Sequence, residues 1–142
     1  MKKVFLSEEK FRNCLVNIFM QMYHDSFKPD LIVGLTRGGL VPGVHLSHML
    51  DVPFKALNKD ELFYNSKFEY PNVLVIDDIN DTGATLKDFA NKYTDLFDMV
   101  RYAVIVNNES SSFDADYFGM SYNKLDEPDW WVFPWEKWWI NN

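Results

Sequence analysis

The chain of 142 residues contains one cysteine, Cys14, which excludes an internal disulfide or a cysteine-rich zinc site and suits a reducing compartment. Cys14 reads as a small core residue on a helix face. Basic residues are outnumbered: 14 Lys and Arg against 21 Asp and Glu leave a formal charge of −7. That balance argues against a nucleic-acid partner, because phosphate backbones are gripped by clustered cations. No uninterrupted apolar run approaches the roughly 20 residues that a membrane span needs. The apolar stretch after "MKK" ends too soon for a secretory leader. A G-x-S-x-G run is missing, as is a Gly-Lys pair after "DTGAT", which sets aside a serine hydrolase and a kinase-type phosphate loop. The expectation is a cytoplasmic protein that binds neither nucleic acid nor membrane.

What is present is a core. With 47% hydrophobic and 17% aromatic residues, residues 1–142 read as a single folded domain without internal repeat or linker. Ser7 can cap a helix with Glu8 and Glu9 in its first turn, and Phe11, Cys14, Leu15, Ile18, Phe19 and Met22 recur at helical spacing until Pro29 closes the element. "LIVGLT" and "VLVID" are apolar on both faces, the pattern of buried parallel strands. "LVPGVHLSHML" and "ATLKDFANKYTDLF" follow them as helices. "VPFKAL", "VRYAVIVNN" and a shorter "DYFGMSY" are further strands. Residues 58–72 lack periodicity and are expected to form a flexible loop or small hairpin. The strand–helix alternation predicts an α/β fold with a mostly parallel central sheet flanked by helices.

"VLVIDDINDTGATL", residues 73–86, places Asp77, Asp78 and Asp81 within five positions with no cation close in sequence. Ligands of open parallel sheets sit outside the carboxyl ends of the strands, where Asp77 and Asp78 fall. The turn 81–85 adds Thr82, Gly83, Ala84 and Thr85 at the mouth of a helix, where backbone N–H groups and hydroxyls form a phosphate socket. A socket beside two carboxylates suits a sugar phosphate, with Asp77 and Asp78 meeting ribose hydroxyls directly or through Mg2+. A plain helix cap needs one acidic or hydroxyl residue; this stretch supplies five around one glycine.

The same stretch resembles the phosphoribosyl-pyrophosphate motif of the type I phosphoribosyltransferases at every defining position. "GLTRGGLVPGVHLSHML" is similar to the pyrophosphate loop of that family, particularly of its bacterial xanthine-guanine members, and "EPDWWVFPWEKWW" to their C-terminal hood, which the resemblance places as a Trp-rich hood over residues 120–142. The resemblance implies the type I phosphoribosyltransferase fold and Mg2+-dependent transfer of a phosphoribosyl group from phosphoribosyl pyrophosphate to a free nucleobase, of purine kind, by a homodimer or homotetramer. It places Asp77 and Asp78 on ribose and metal, and Asp81 through Thr85 on the sugar's phosphate. Asp81 doubles as general base. Thr36, Arg37, Gly38 and Gly39 fall on pyrophosphate, where Arg37 offers a fork of donors and the glycines let backbone approach. Trp130 is implied to stack on the base, with main-chain groups of Trp131 and Glu136 reading its edge. Trp135, Trp138 and Trp139 read instead as packing residues.

Lys59 and Lys67 are candidates for touching pyrophosphate from the 58–72 loop. By the resemblance, purine members carry a lysine after the strand that follows the motif, where its ammonium recognises the 6-oxo group of the base; here Asn107 or Asn108 stands there, with Asn107 the implied base-binding residue, and an amide can either donate or accept. The alternative is a regulatory protein that binds phosphoribosyl pyrophosphate without transferring it. His45 and His48 lack a carboxylate partner at metal-ligand spacing and read as surface or packing residues.

Overall fold

A computed structural model of the protein describes residues 1–136 and 139. Strand β1 (Lys3–Phe5) leads into helix α1 (Glu8–His24), whose Ser7 cap accepts a hydrogen bond from the Lys10 amide at 3.1 Å. There follow β2 (Leu31–Leu35), α2 (Leu40–Leu50), β3 (Phe54–Leu57), β4 (Asn72–Asn80), α3 (Ala84–Tyr93), β5 (Met99–Asn108), β6 (Tyr117–Tyr122) and β7 (Trp130–Val132). Five strands form one sheet in the order β3-β2-β4-β5-β6, every neighbouring pair parallel. The α/β architecture with a parallel central sheet is therefore as expected.

Both sheet faces are covered, which is why β2 is apolar throughout. On one face Leu74 and Ile76 of β4 pack with Phe11, Ile18 and Met22 of α1 and Leu46 of α2. On the other, Val73 and Val75 pack with Leu86 and Phe89 of α3. Edge strand β6 is covered by α1: the Gln21 amide donates to the Phe118 carbonyl at 2.7 Å and accepts from the Phe118 N–H at 3.1 Å. Close approach is possible because Gly119 lacks a side chain; a Cβ there would lie 2.3 Å from that of Cys14.

Several boundaries differ from the sequence reading. Helix α3 ends at Tyr93, and residues 94–96 tighten into a 3-10 turn that delivers Phe97 to the core. Strand β3 starts only at Phe54, since Pro53 has no N–H for a ladder. Residues 58–71 contain turns and no strand, so no hairpin forms, and Asn72 already belongs to β4. Phe63 anchors that segment in the core, whereas Phe68 is fully exposed. The main sheet extends to Tyr122, so the Trp-rich hood starts after it rather than at residue 120; β7 pairs there with β1 in a separate two-stranded parallel sheet.

Candidate active site

Strict alternation would send Asp77 and Asp78 to opposite faces of β4. It is interrupted here: Ile76 and Ile79, three positions apart, both pack on the α1 side of the sheet. As a result both carboxylates line one cavity of about 800 Å³ at the carboxyl end of the sheet, and both line an adjoining hollow of about 310 Å³ formed by residues 77–86. Asp77 Oδ1 accepts the Asp78 N–H at 2.9 Å, and Asp78 Oδ1 accepts the Ile79 N–H at 2.7 Å. Burial, then the neighbouring charge of Asp78, pushes the Asp77 carboxyl well above the usual carboxylate range. Asp78 is raised by burial, with the Glu136 carboxylate adding repulsion.

Among the described residues no ion pair engages Asp77 or Asp78, and their negative charge fits a divalent cation. Among the described residues no three His, Cys, Asp or Glu side chains converge on a metal position. Such a donor set suits Mg2+, which is commonly held by one or two carboxylates together with ligand oxygens and water.

The loop between β2 and α2 presses against the acidic pair. A Cβ on Gly38 would fall 2.3 Å from Asp78 Cγ, and one on Gly39 would fall 2.2 Å from the Ile76 carbonyl oxygen. The Asp78 carboxylate thus rests on the backbone of the loop predicted to bind pyrophosphate. Thr36 and Gly38 line the larger cavity, and Thr36 Oγ1 donates to Asn58 Oδ1 at 2.7 Å. Gly39 is buried beneath, and Arg37 is exposed and lines neither cavity. Gly38→Ala is expected to displace Asp78 and weaken binding of magnesium phosphoribosyl pyrophosphate about tenfold or more, measured by calorimetry, because the Cβ meets a carboxylate confined by its neighbours.

The threonine turn is set by Gly83, whose φ of +92° favours glycine. A Cβ there would also meet Ser111 Oγ at 2.6 Å. The Thr82 carbonyl accepts from the Ser112 amide at 2.9 Å and from Ser112 Oγ at 2.8 Å, so the loop after β5 braces the turn. Thr82, Gly83, Ala84 and Thr85 all line the smaller hollow. The Ala84 N–H is engaged within the turn, donating to Thr82 Oγ1 at 3.2 Å.

Asp81, at the rim of that hollow, is not alone. Lys124, from the turn after β6, places its ammonium 2.8 Å from Asp81 Oδ1. Buried Asn108 joins the two: its Nδ2 donates to the Asp81 carbonyl at 2.7 Å, and its Oδ1 accepts the Lys124 N–H at 2.9 Å. Sequence reasoning missed Lys124. It lies 43 positions from Asp81 in a polar turn, and no local pattern distinguishes it from a solvated lysine. Asn107 sits beside Asn80, in register at the ends of β5 and β4.

The hood stands apart from the two cavities. Trp131 is buried against Tyr122, ring centroids 5.5 Å apart, and Trp130 has the Lys3 ammonium 5.6 Å from its ring centroid. Neither lines either cavity. The Glu136 N–H donates to the Phe133 carbonyl, and the Glu136 carboxylate accepts from the Phe133 N–H, so its amide is spent on closing the turn. Trp135 packs between Phe11 and Phe133, as expected of a core residue. Trp139 is 62% exposed, and Trp138 lies outside the described residues. Lys59 lines the larger cavity and Lys67 does not. His45 and His48 are exposed on α2, His45 edge-on to Phe11.

No family profile matches the sequence, nor does any curated protein. Solved structures do match. A purine phosphoribosyltransferase from Pyrococcus horikoshii Ot3 superposes with a TM-score of 0.82 and 27% identity, over 100% of this chain and 99% of that one. The Helicobacter pylori xanthine-guanine-hypoxanthine phosphoribosyltransferase gives 0.79 and 21%, over 92% and 90%. A hypothetical protein from Neisseria gonorrhoeae, solved with bound ppGpp, gives 0.76 and 17%, over 97% and 92%. In the described residues no helix is long and apolar enough to cross a membrane. A parallel sheet ending in paired carboxylates and a glycine-threonine turn, superposing end to end on a purine phosphoribosyltransferase, gives the chain the type I phosphoribosyltransferase fold and makes it similar to the purine enzymes that share it.

Proposed function

We propose that the protein transfers the phosphoribosyl group of phosphoribosyl pyrophosphate to a purine base in a Mg2+-dependent reaction, within a reducing, cytoplasmic compartment. The observation that carries this reading is the convergence of Asp77 and Asp78 on one cavity beside the Thr82–Thr85 turn and the Gly38 loop. In this reading the turn receives the sugar's phosphate through its hydroxyls and the helix N-terminus behind it. Asp77 and Asp78 hold the ribose hydroxyls, and Thr36 to Gly39 receive the pyrophosphate.

Magnesium, when bound with the sugar, supplies positive charge that screens the carboxylates and the leaving pyrophosphate. Breaking the bond from the anomeric carbon to pyrophosphate leaves positive charge on the ribose ring, which the carboxylates of Asp77 and Asp78 would stabilise. The base nitrogen forms the new bond to that carbon, and a proton from the base passes to the Asp81 carboxylate. Pyrophosphate departs toward the Gly38 loop.

Pyrophosphate release from phosphoribosyl pyrophosphate with Mg2+ and a panel of free bases tests the reading. Base-dependent release with a purine is expected. Tight binding of the sugar phosphate with no release for any base would replace transfer by a regulatory, binding-only role.

A further inference from the structure

We propose that Ser112, in the loop after β5, is a positioning residue for the threonine turn: it locks the Thr82–Gly83 peptide with its N–H toward the smaller hollow and its carbonyl away, the polarity that an anion requires. The phosphate as occupant rests on the transferase reading. The residue itself belongs to neither the acidic motif nor the pyrophosphate loop.

A carbonyl only accepts, so both groups that meet the Thr82 carbonyl are donors: the Ser112 amide at 2.9 Å and the Ser112 hydroxyl at 2.8 Å. A trans peptide is planar and aims its carbonyl and its N–H in opposite directions. The carbonyl drawn to Ser112 therefore sends the Gly83 N–H the other way. Residues 77–86 form the hollow, whereas Ser111, Ser112 and Phe113 do not line it. The brace stands outside, and the N–H is directed inward.

The peptide needs such a lock because Gly83, with its φ of +92°, is free to adopt either sign of φ. Rotation about that peptide would bring the carbonyl oxygen to the hollow and set the negative end of its dipole against an anion. Gly83 is also the N-cap of α3 and has no side chain with which to cap it. Thr82 Oγ1 already accepts the Ala84 N–H at 3.2 Å, so its own hydrogen remains to be donated. In the locked orientation the turn offers donors.

The brace is itself rooted in the core. Asn80 is 1% exposed; its Nδ2 donates to the Phe113 carbonyl at 2.7 Å, and its Oδ1 accepts from Ser111 Oγ at 2.8 Å. The Ser111 N–H donates to the Asn108 carbonyl at 3.1 Å. Ser112 is thus held by the residue on each side of it. A Cβ on Gly83 would fall 2.7 Å from the Phe113 nitrogen, so the turn lies directly on this loop.

The test measures binding of ribose 5-phosphate and of magnesium pyrophosphate by calorimetry for the unaltered protein, Ser112→Ala and Ser112→Thr, and follows the Gly83 amide by NMR without ligand. Ser112 is exposed, so Ser112→Ala opens no cavity and should leave Tm nearly unchanged. It should weaken ribose 5-phosphate binding about three- to tenfold, the worth of one neutral hydrogen bond. KM for phosphoribosyl pyrophosphate should rise in proportion, with kcat and the affinity for magnesium pyrophosphate unaltered, a split that a general loosening of the fold would not give. The Gly83 amide should broaden as two peptide orientations exchange. Ser112→Thr keeps the hydroxyl and should restore both. Unchanged ribose 5-phosphate affinity in Ser112→Ala, or an equal loss for both ligands, overturns the proposal even if transfer occurs. A broadened Gly83 amide in Ser112→Ala, with no binding of ribose 5-phosphate by the unaltered protein, would uphold the lock and refute the phosphate reading.

Discussion

Asp81→Asn is expected to slow pyrophosphate release about 10²–10⁴-fold, the range for loss of a positioned proton acceptor, while binding of phosphoribosyl pyrophosphate changes little. The asparagine oxygen keeps the shape of the site, but an amide does not take a proton at neutral pH. Losing the Lys124 pair is not expected to unfold the protein. Both partners are more than one-third exposed, and pairs of that kind contribute about 1 kcal/mol or less. The backbone of Asp81 also remains tied through its carbonyl to Asn108. Single-turnover rates with saturating sugar phosphate separate the two effects. Unaltered turnover in a folded Asp81→Asn protein would remove this residue from the chemistry.

Asp77→Asn should move stability and activity in opposite directions. The Asp77 carboxyl is raised above its unfolded value by burial and by Asp78. A raised carboxyl favours the folded state fully only below the unfolded pKa, about 3.9, and the contribution is lost as pH rises through the folded value. The metal-free protein should therefore lose stability as pH climbs out of the acidic range. Asp77→Asn should flatten that decline and raise Tm at neutral pH, the gain shrinking toward pH 4. The variant keeps an oxygen for the Asp78 N–H. With substrate the order reverses: loss of a carboxylate facing developing positive charge should cut turnover about 10²–10³-fold. Melting curves at several pH values, with and without Mg2+, check both. A variant less stable than its parent at neutral pH without metal would mean that the two carboxylates are not in conflict.

The paired burial of β2, β4 and β5 was legible because strands covered on both faces must be apolar at successive positions, and "LIVGL" and "VLVI" are. Asp77, Asp78 and the Thr82–Thr85 turn were legible for a related reason. Their chemistry is compressed into a few consecutive residues, so their meeting around one cavity follows from a single strand end. The glycines of "RGG" belong here too, although only the structure shows that Gly38 is the floor on which Asp78 rests.

Other contacts around the site are long in range. Trp130 and Trp131 follow one another in sequence, yet pairing of β7 with β1 turns the Trp131 ring against Tyr122 and leaves the Trp130 ring beside Lys3. Nothing in a Trp-rich tail specifies that partner strand. Lys124 looked like any lysine in a polar turn until the β6 connection returned it to Asp81.

By itself, then, the sequence determined the parallel α/β architecture, the acidic strand end and the glycine-threonine turn beside it, since each is written in periodicity or in adjacent residues. Tertiary structure alone decided that both aspartates line one cavity and that an ammonium stands beside the Asp81 carboxylate. Those are matters of which distant groups meet, and hydrogen-bond polarity and charge pairing act through space between segments that the chain order keeps apart.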